Sequence, residues 1–311
     1  MKILFMGTPD FAVFTLQALV ERGENIIGVV TQTDKPRGRG YELLPTPVKK
    51  YALEHNIPVY QPQTLRGEEF AAQLSEIDPD LIIVVAYGKI LPVNVLEYPK
   101  YGCINVHGSL LPAYRGAAPM QRAIMDGCAQ TGITTMYMAE GLDTGDMLLK
   151  ATLPIEDTDN FETIHDKLGA LGAQTMLDTL DALRAGTLVP EKQDDSLANY
   201  AEKIQKSDLL IDFSLDATTI HNHIRGTSPI PLSFTHLPGG SLLKVYAARV
   251  YDANKTPTVA PGTVVGLDGE ILVACGKGTI ALTAVIPEGK KRMPAADYIR
   301  GRKIGLGDLL S

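Results

Sequence analysis

Residues 2–19, Lys2-Ile3-Leu4-Phe5-Met6-Gly7-Thr8-Pro9-Asp10-Phe11-Ala12-Val13-Phe14-Thr15-Leu16-Gln17-Ala18-Leu19, change their hydrophobic period midway. Lys2–Met6 is a short apolar run suited to a buried strand, and Gly7-Thr8-Pro9-Asp10 interrupts it. Phe11, Val13, Leu16, Ala18 and Leu19 then recur at helical spacing, with Asp10 placed to cap the helix. The same change recurs downstream. Asn25–Thr31 and Leu81–Val85 read as buried strands, Glu68–Ile77 as a helix, and Cys103–His107 and Gly132–Met138 as further strands. Strands alternating with helices imply parallel neighbours joined by right-handed crossovers. The expected fold of this region is therefore α/β, a doubly wound, mostly parallel Rossmann-like sheet. Ligands of such sheets bind beyond the carboxyl ends of the strands, so the residues following each apolar run are the ones to weigh.

Thr163–Leu183 predicts a long amphipathic helix, with Ile164, Leu168, Leu171, Met176, Leu180 and Leu183 on its apolar stripe and Gly186 after its end. From Thr187 to Ser207 the chain is polar and reads as a linker. Asp216–Arg225 then predicts a short helix stopped by Thr227-Ser228-Pro229-Ile230-Pro231. Short β runs follow at Leu243–Val250, Gly262–Val265, Ile271–Ala274 and Thr279–Ala284, separated by glycine turns. So many short strands fit a C-terminal OB-like β-barrel domain. The expected division is 1–188, a linker at 189–207, and 208–311.

The 311 residues are 45% hydrophobic and 21% charged, which is ordinary globular material. No run of about 18 apolar residues is present, so no membrane-spanning helix is expected. The first residues read as a strand instead of a signal peptide. Cys103, Cys128 and Cys275 are widely spaced and form no CxxC, which argues against a disulfide framework or zinc site and for a cytoplasmic location. A formal charge of −7 at first disfavours a nucleic-acid partner. Its distribution does not. Residues 1–200 carry 16 Lys+Arg against 26 Asp+Glu, whereas 201–311 carry 13 against 10. Lys290-Lys291-Arg292 and Arg300-Gly301-Arg302-Lys303 form two basic groups, and Thr33–Lys50 is locally basic within the acidic half.

Gly7-Thr8-Pro9-Asp10 occupies the place of a dinucleotide fingerprint but does not match GxGxxG, which disfavours a nicotinamide or flavin enzyme. Asn105 and His107 close the Cys103–His107 strand on one face. An amide donor and an imidazole at a carboxyl strand end suit acyl transfer, the first holding an oxyanion and the second moving protons. Taken alone, they read more readily as a structural hydrogen-bonded pair. Their neighbourhood favours chemistry: Gly108-Ser109-Leu110-Leu111-Pro112 follows directly, and Gly141-Leu142-Asp143-Thr144-Gly145-Asp146 forms a tight loop after a later strand. Asp143 or Asp146 is available to orient His107, Asp143 reading as functional and Asp146 as a turn residue. No serine-nucleophile motif accompanies the histidine, and His221-Asn222-His223 has the wrong spacing for a metal pair on a helix. A direct transfer with histidine as base fits best.

Met6–Ala12, Asn105–Pro112 and Gly141–Leu148, together with the Lys35-Pro36-Arg37-Gly38-Arg39-Gly40 loop and the β-rich C-terminal part, resemble the methionyl-tRNA formyltransferases along essentially the whole chain. The resemblance implies formyl transfer from 10-formyltetrahydrofolate to the α-amine of methionyl-initiator tRNA, without a metal or a membrane. It implies Asn105, His107 and Asp143 as catalytic residues. Ser109, Leu110, Leu111 and Pro112 match the folate-binding stretch, with Tyr87, Gly88, Ile90 and Leu91 near the pterin. Lys35, Arg37 and Arg39 match the loop around the tRNA acceptor end, and Lys203 matches a linker lysine pointing toward it. Lys290, Lys291 and Arg292 are added as basic tRNA contacts. The family often carries a Trp near Pro229-Ile230-Pro231, and this chain has none. Glycinamide ribonucleotide formyltransferases are shorter and carry a phosphate-cradling loop where Thr8-Pro9-Asp10 stands here. Formyltransferases of nucleotide-linked amino sugars are the sharper rival, and a noncatalytic RNA-binding protein is the rival from another class. No helix suggests a dimer seam, so a monomer is expected.

Overall fold

The computed structural model describes residues 1–37 and 42–311. The chain opens with β1 (Ile3–Gly7), α1 (Asp10–Glu21), β2 (Ile26–Val30), the short strands β3 (Lys35–Arg37) and β4 (Glu42–Leu44), α2 (Pro47–Glu54) and β5 (Val59–Tyr60). It continues through α3 (Glu68–Ile77), β6 (Leu81–Val85), α4 (Val93–Leu96), β7 (Cys103–His107), β8 (Arg115–Gly116), α5 (Pro119–Met125), β9 (Gln130–Tyr137), β10 (Met147–Pro154) and α6 (Phe161–Ala185). Among the described residues, seven strands form one sheet in the order β10-β9-β7-β6-β1-β2-β5.

β1 sits near the middle, parallel to β6 on one side and β2 on the other, with Ile3 opposite Leu81 and Gly7 opposite Val85. Every residue of β1, β6 and β7 is buried, as a parallel sheet covered on both faces requires. On one face Leu4, Met6, Ile82 and Val84 pack with Phe70 and Leu74 of α3 and with Tyr87, Leu91 and Cys103. On the other, α6 approaches so closely that a Cβ at Gly172 would lie 3.0 Å from a Val106 methyl.

Two local expectations change. β9 forms where the apolar run predicts it, but it runs antiparallel to β7, with His107 opposite Thr134. A parallel neighbour needs a crossover helix packed on the sheet. The helix between these strands, α5, instead packs against a later helix of the second unit described below. Asp10 is the first residue of α1, not its cap; the N-cap is Pro9. Its carboxylate faces His165 Nε2 at 3.5 Å, while Asp166 meets Nδ1 of the same ring at 2.9 Å. The hydrogen bond to His165 holds the Asp10 carboxyl below the usual range, and the same bond, with help from Asp166, holds the imidazole pKa above its usual value.

The residues divide into two compact units. The first comprises Met1–Gly116, Thr131–Pro154 and His165–Tyr200; the second comprises Ala117–Gln130, Ile155–Ile164 and Ala201–Ser311. After β11 (Tyr200–Ala201), the second unit contains α7 (Ala217–Thr227), β12 (Phe234–His236), β13 (Leu242–Asp252), β14 (Val264–Gly266), β15 (Ile271–Ala274), β16 (Thr279–Pro287), β17 (Met293–Pro294) and α8 (Ala295–Arg300). Asp216 caps α7 by accepting from the amides of Thr218 and Thr219, each at 3.0 Å. Ala217, Ile220 and Ile224 of that helix share a core with Leu243, Val245, Val273, Ile280 and Leu282. The strands form an antiparallel sheet ordered β12-β13-β16-β15-β14, with β17 added to β16. Register irregularities between Val245 and Ala248 bend β13 against β16, as bulges do, and the sheet curls as a half-barrel. Among the described residues, no helix is long and apolar enough to cross a membrane.

Ile82 has no exposed surface, so Ile82→Ala is expected to lower unfolding free energy by about 2–5 kcal/mol in urea titration. His165 titrates higher in the folded chain, so its contribution is present below about pH 6.5 and lost as pH rises through the folded value. Asp10 titrates lower, so its contribution is present above about pH 4 and lost on acidification. His165→Gln is therefore expected to destabilise by on the order of 0.5 kcal/mol between those limits and by less at pH 8.5, Asp10 being solvent-screened.

Candidate active site

The face of β7 that begins as core at Cys103 ends in Asn105 and His107, since alternate residues share a face. Both polar side chains are buried. His107 Nε2 lies 3.0 Å from the carbonyl oxygen of Tyr114. A carbonyl only accepts, so Nε2 carries the hydrogen and donates it. Nδ1 is thereby left facing the Asp143 carboxylate, 3.7 Å away. The Asn105 amide has no hydrogen-bond partner among the described residues, and its polar atoms are not among those fully closed off from solvent. One free donor and one free imidazole nitrogen thus stand two residues apart on a rigid strand.

Asp143 reaches His107 from the loop between β9 and β10. Its Oδ2 accepts the Gly116 amide at 2.7 Å, and its backbone is left-handed at φ 52°. Aspartate tolerates that region better than most residues. The loop is closed tightly: Tyr137 N donates to Asp146 O at 2.9 Å, and a Cβ on Gly145 would lie 1.8 Å from the Tyr137 carbonyl oxygen. Only glycine fits there. Asp146 makes its hydrogen bond through the backbone, and its side chain has no partner among the described residues.

The stretch read as a linker packs against this loop. Glu191 and Met147 exchange both backbone hydrogen bonds at 2.8 Å. Gln193 Nε2 donates to the carbonyls of Asp143 and Gly145, both at 2.8 Å, while its Oε1 accepts from Arg115 Nε and Nη2 at 3.0 and 2.8 Å. Arg115 is 2% exposed and also reaches Asp195 at 2.7 Å. Asn199 accepts the amides of Tyr114 and Arg115 through its side chain and backbone. Sequence reasoning missed Gln193 and Asn199, and it gave Arg115 no role. The available signal was the arginine itself: a guanidinium needs acceptors if it is buried, and Gln193-Asp194-Asp195 is a run of them.

The stretch matched to folate binding follows β7 directly. Ser109 is fully buried, with its hydroxyl donating to Ala113 O at 2.6 Å. Thr134, opposite His107, staples this turn by donating to Ser109 O and accepting the Leu111 amide. Leu111 packs on Met136 and Met147, Leu110 and Pro112 are half-buried, and the Leu111–Pro112 peptide is cis. Tyr87 and Leu91 belong to the core beside β6, and Gly88 and Ile90 are exposed. The Tyr87 hydroxyl is buried without a partner, and burial pushes its pKa up to about 12. Of the basic residues, Lys35 is exposed and donates to Gln32 at 3.1 Å. Arg37 lies in β3, and Arg39 falls outside the described residues. Lys203, Lys290, Lys291 and Arg292 are exposed, Arg292 lying 4.4 Å over the Tyr246 ring. Among the described residues, no three His, Cys, Asp or Glu side chains gather to hold a metal ion.

Comparison with known proteins gives the family. Residues 1–180 match the family model described as formyl transferase, and residues 203–303 match that described as formyl transferase, C-terminal domain. A relative from Geotalea daltonii, named methionyl-tRNA formyltransferase, is 50% identical over 99% of this chain and 97% of its own. Two solved structures share the fold at low identity. The sugar 3N-formyl transferase WlaRD, solved in the presence of dTDP and 5-N-formyl-THF, superposes with a TM-score of 0.66 at 19% identity, over 94% of this chain and 99% of its own. HypX from Aquifex aeolicus, in complex with tetrahydrofolic acid, gives a TM-score of 0.64 at 17% identity over 98% of this chain, which spans 48% of the HypX length. With both family models matched and half its residues shared end to end with such a relative, this chain belongs to the formyl transferase family, among the methionyl-tRNA formyltransferases.

Proposed function

We propose that this protein transfers a formyl group from 10-formyltetrahydrofolate to the α-amine of methionyl-initiator tRNA. The observation that carries the reading is the pairing of an unpartnered Asn105 amide with a His107 ring whose Nδ1 alone is left to move protons. End-to-end similarity to a relative named for methionyl-tRNA selects the acceptor over an amino sugar. The formyl donor supplies an activated one-carbon group on nitrogen. Everything else falls to this chain's residues.

Attack by the amine builds negative charge on the formyl oxygen and positive charge on the nitrogen. Asn105 donates to the oxygen, an effect worth about 3–4 kcal/mol for a well-placed donor. His107 Nδ1 takes the proton from the attacking nitrogen and returns it to the leaving nitrogen, worth roughly 10²–10⁴-fold. The Asp143 carboxylate favours the imidazolium formed in between and holds the ring in register. Ser109–Pro112 and the Tyr87, Gly88, Ile90 and Leu91 segment hold the folate. Residues 1–188 carry the transfer, and 208–311, joined through 189–207, assist in holding tRNA. Lys35, Arg37, Arg39, Lys203, Lys290, Lys291 and Arg292 meet phosphates there, so affinity falls as salt rises. The protein acts as a cytoplasmic monomer without a metal.

With 10-formyltetrahydrofolate as donor, the purified protein is expected to formylate methionyl-initiator tRNA, and neither free Met nor an amino-sugar nucleotide. Formylation of the sugar without the tRNA would sink the reading. Asn105→Ala is expected to lower kcat by about 10²–10³-fold and His107→Ala by about 10²–10⁴-fold, with folate binding retained in equilibrium titration. Near-normal turnover in either variant removes that residue from the mechanism.

A further inference from the structure

The geometry points to Gln193 as a positioning residue that sets the catalytic histidine through Asp143. This rests on the functional reading above. His107 is held at Nε2 by the Tyr114 carbonyl and faced at Nδ1, 3.7 Å away, by the Asp143 carboxylate. Both partners sit on left-handed backbone, Tyr114 at φ 59° and Asp143 at φ 52°. Such conformations persist in non-glycine residues only where surrounding contacts hold them. Here a single stretch, 191–199, supplies contacts to both. Asn199 accepts the amides on either side of the Tyr114 carbonyl carbon, those of Tyr114 and Arg115. Gln193 donates one N–H to the Asp143 carbonyl and the other to the Gly145 carbonyl.

The amide of Gln193 is also oriented. Its oxygen is gripped by two nitrogens of buried Arg115, which leaves both hydrogens of the NH₂ group pointing at the loop. Arg115 in turn directly follows Tyr114 and directly precedes Gly116, whose amide binds the Asp143 carboxylate. The circuit therefore closes on itself: segment 114–116 meets both ends of the imidazole system, and Gln193 ties that segment to the loop carrying Asp143. Reacting groups are sensitive to displacements of an ångström, so a brace of this kind acts on turnover more than on substrate binding.

The test uses the full-length protein with Gln193→Ala and Gln193→Glu, each alone and combined with Asp143→Asn. Gln193→Glu keeps the length and the Arg115 partner while setting an oxygen against two carbonyls, so it serves even if the alanine variant does not fold. Both single variants are expected to lose about 10–100-fold in kcat with the KM for the formyl donor within about 2-fold of the parent. On the Asp143→Asn background the same changes are expected to add less than about 3-fold, because the two residues act in one chain. Hydrogen exchange at the Gly116 amide, read without substrate, is expected to quicken in both variants as the Asp143 carboxylate leaves it. Unchanged kcat with unchanged exchange overturns the inference, as does full multiplication of the losses in the double variants. Failure of the parent protein to formylate methionyl-tRNA would instead overturn the functional reading, and the Gly116 exchange would still judge the brace.

Discussion

Everything in the first unit follows from burying β1, β6 and β7 on both faces. Parallel strands have no hairpins to bring the chain back, so each carboxyl end opens on the same side of the sheet, and helices must cover what lies between. That requirement makes Leu81–Val85 wholly apolar and draws α6 close enough to demand Gly172. It also confines polar side chains to the strand ends. Asn105 and His107 occupy the last turns of a face whose first residue, Cys103, is already core.

The site is precise because it is expensive to leave unsatisfied. A buried guanidinium, a buried imidazole and several loop carbonyls share one polar network, in which each donor has a single sensible acceptor. Arg115 would be costly to bury alone; with Gln193 and Asp195 it becomes the member that orients the rest. Asn105 is the exception, and on the proposed reading its unpartnered amide is the donor that a substrate oxygen meets.

Much of this was legible in the sequence, for physical reasons that differ from place to place. Helix α3 forms over Glu68–Ile77 as its period predicts, because glycine precedes it and the chain turns left-handed at Asp78. Strands β6 and β7 form as read, since complete burial leaves a continuous apolar run. Strand β10 was missed: half of it faces solvent, and its alternation is weak beside the glycine-rich loop before it. The antiparallel sense of β9 was not readable, because it depends on where α5 packs and not on the composition of the strand. Asn105, His107 and Asp143 stood out by residue type and by resemblance. Gln193 did not, since its partner Arg115 lies 78 residues away and no local pattern records a distant acceptor.

The brace also has a consequence for how the protein comes into being. By Gly186 the chain has supplied every strand of the parallel sheet and the long helix behind it, so its core can close. The imidazole's surroundings cannot, because Gln193 and Asn199 have yet to be added. Contacts so far apart along the chain form late, after the loop-closure entropy of the intervening segment has been met. During synthesis the sheet therefore precedes its brace. A chain released early would carry a sound sheet and an unbraced histidine.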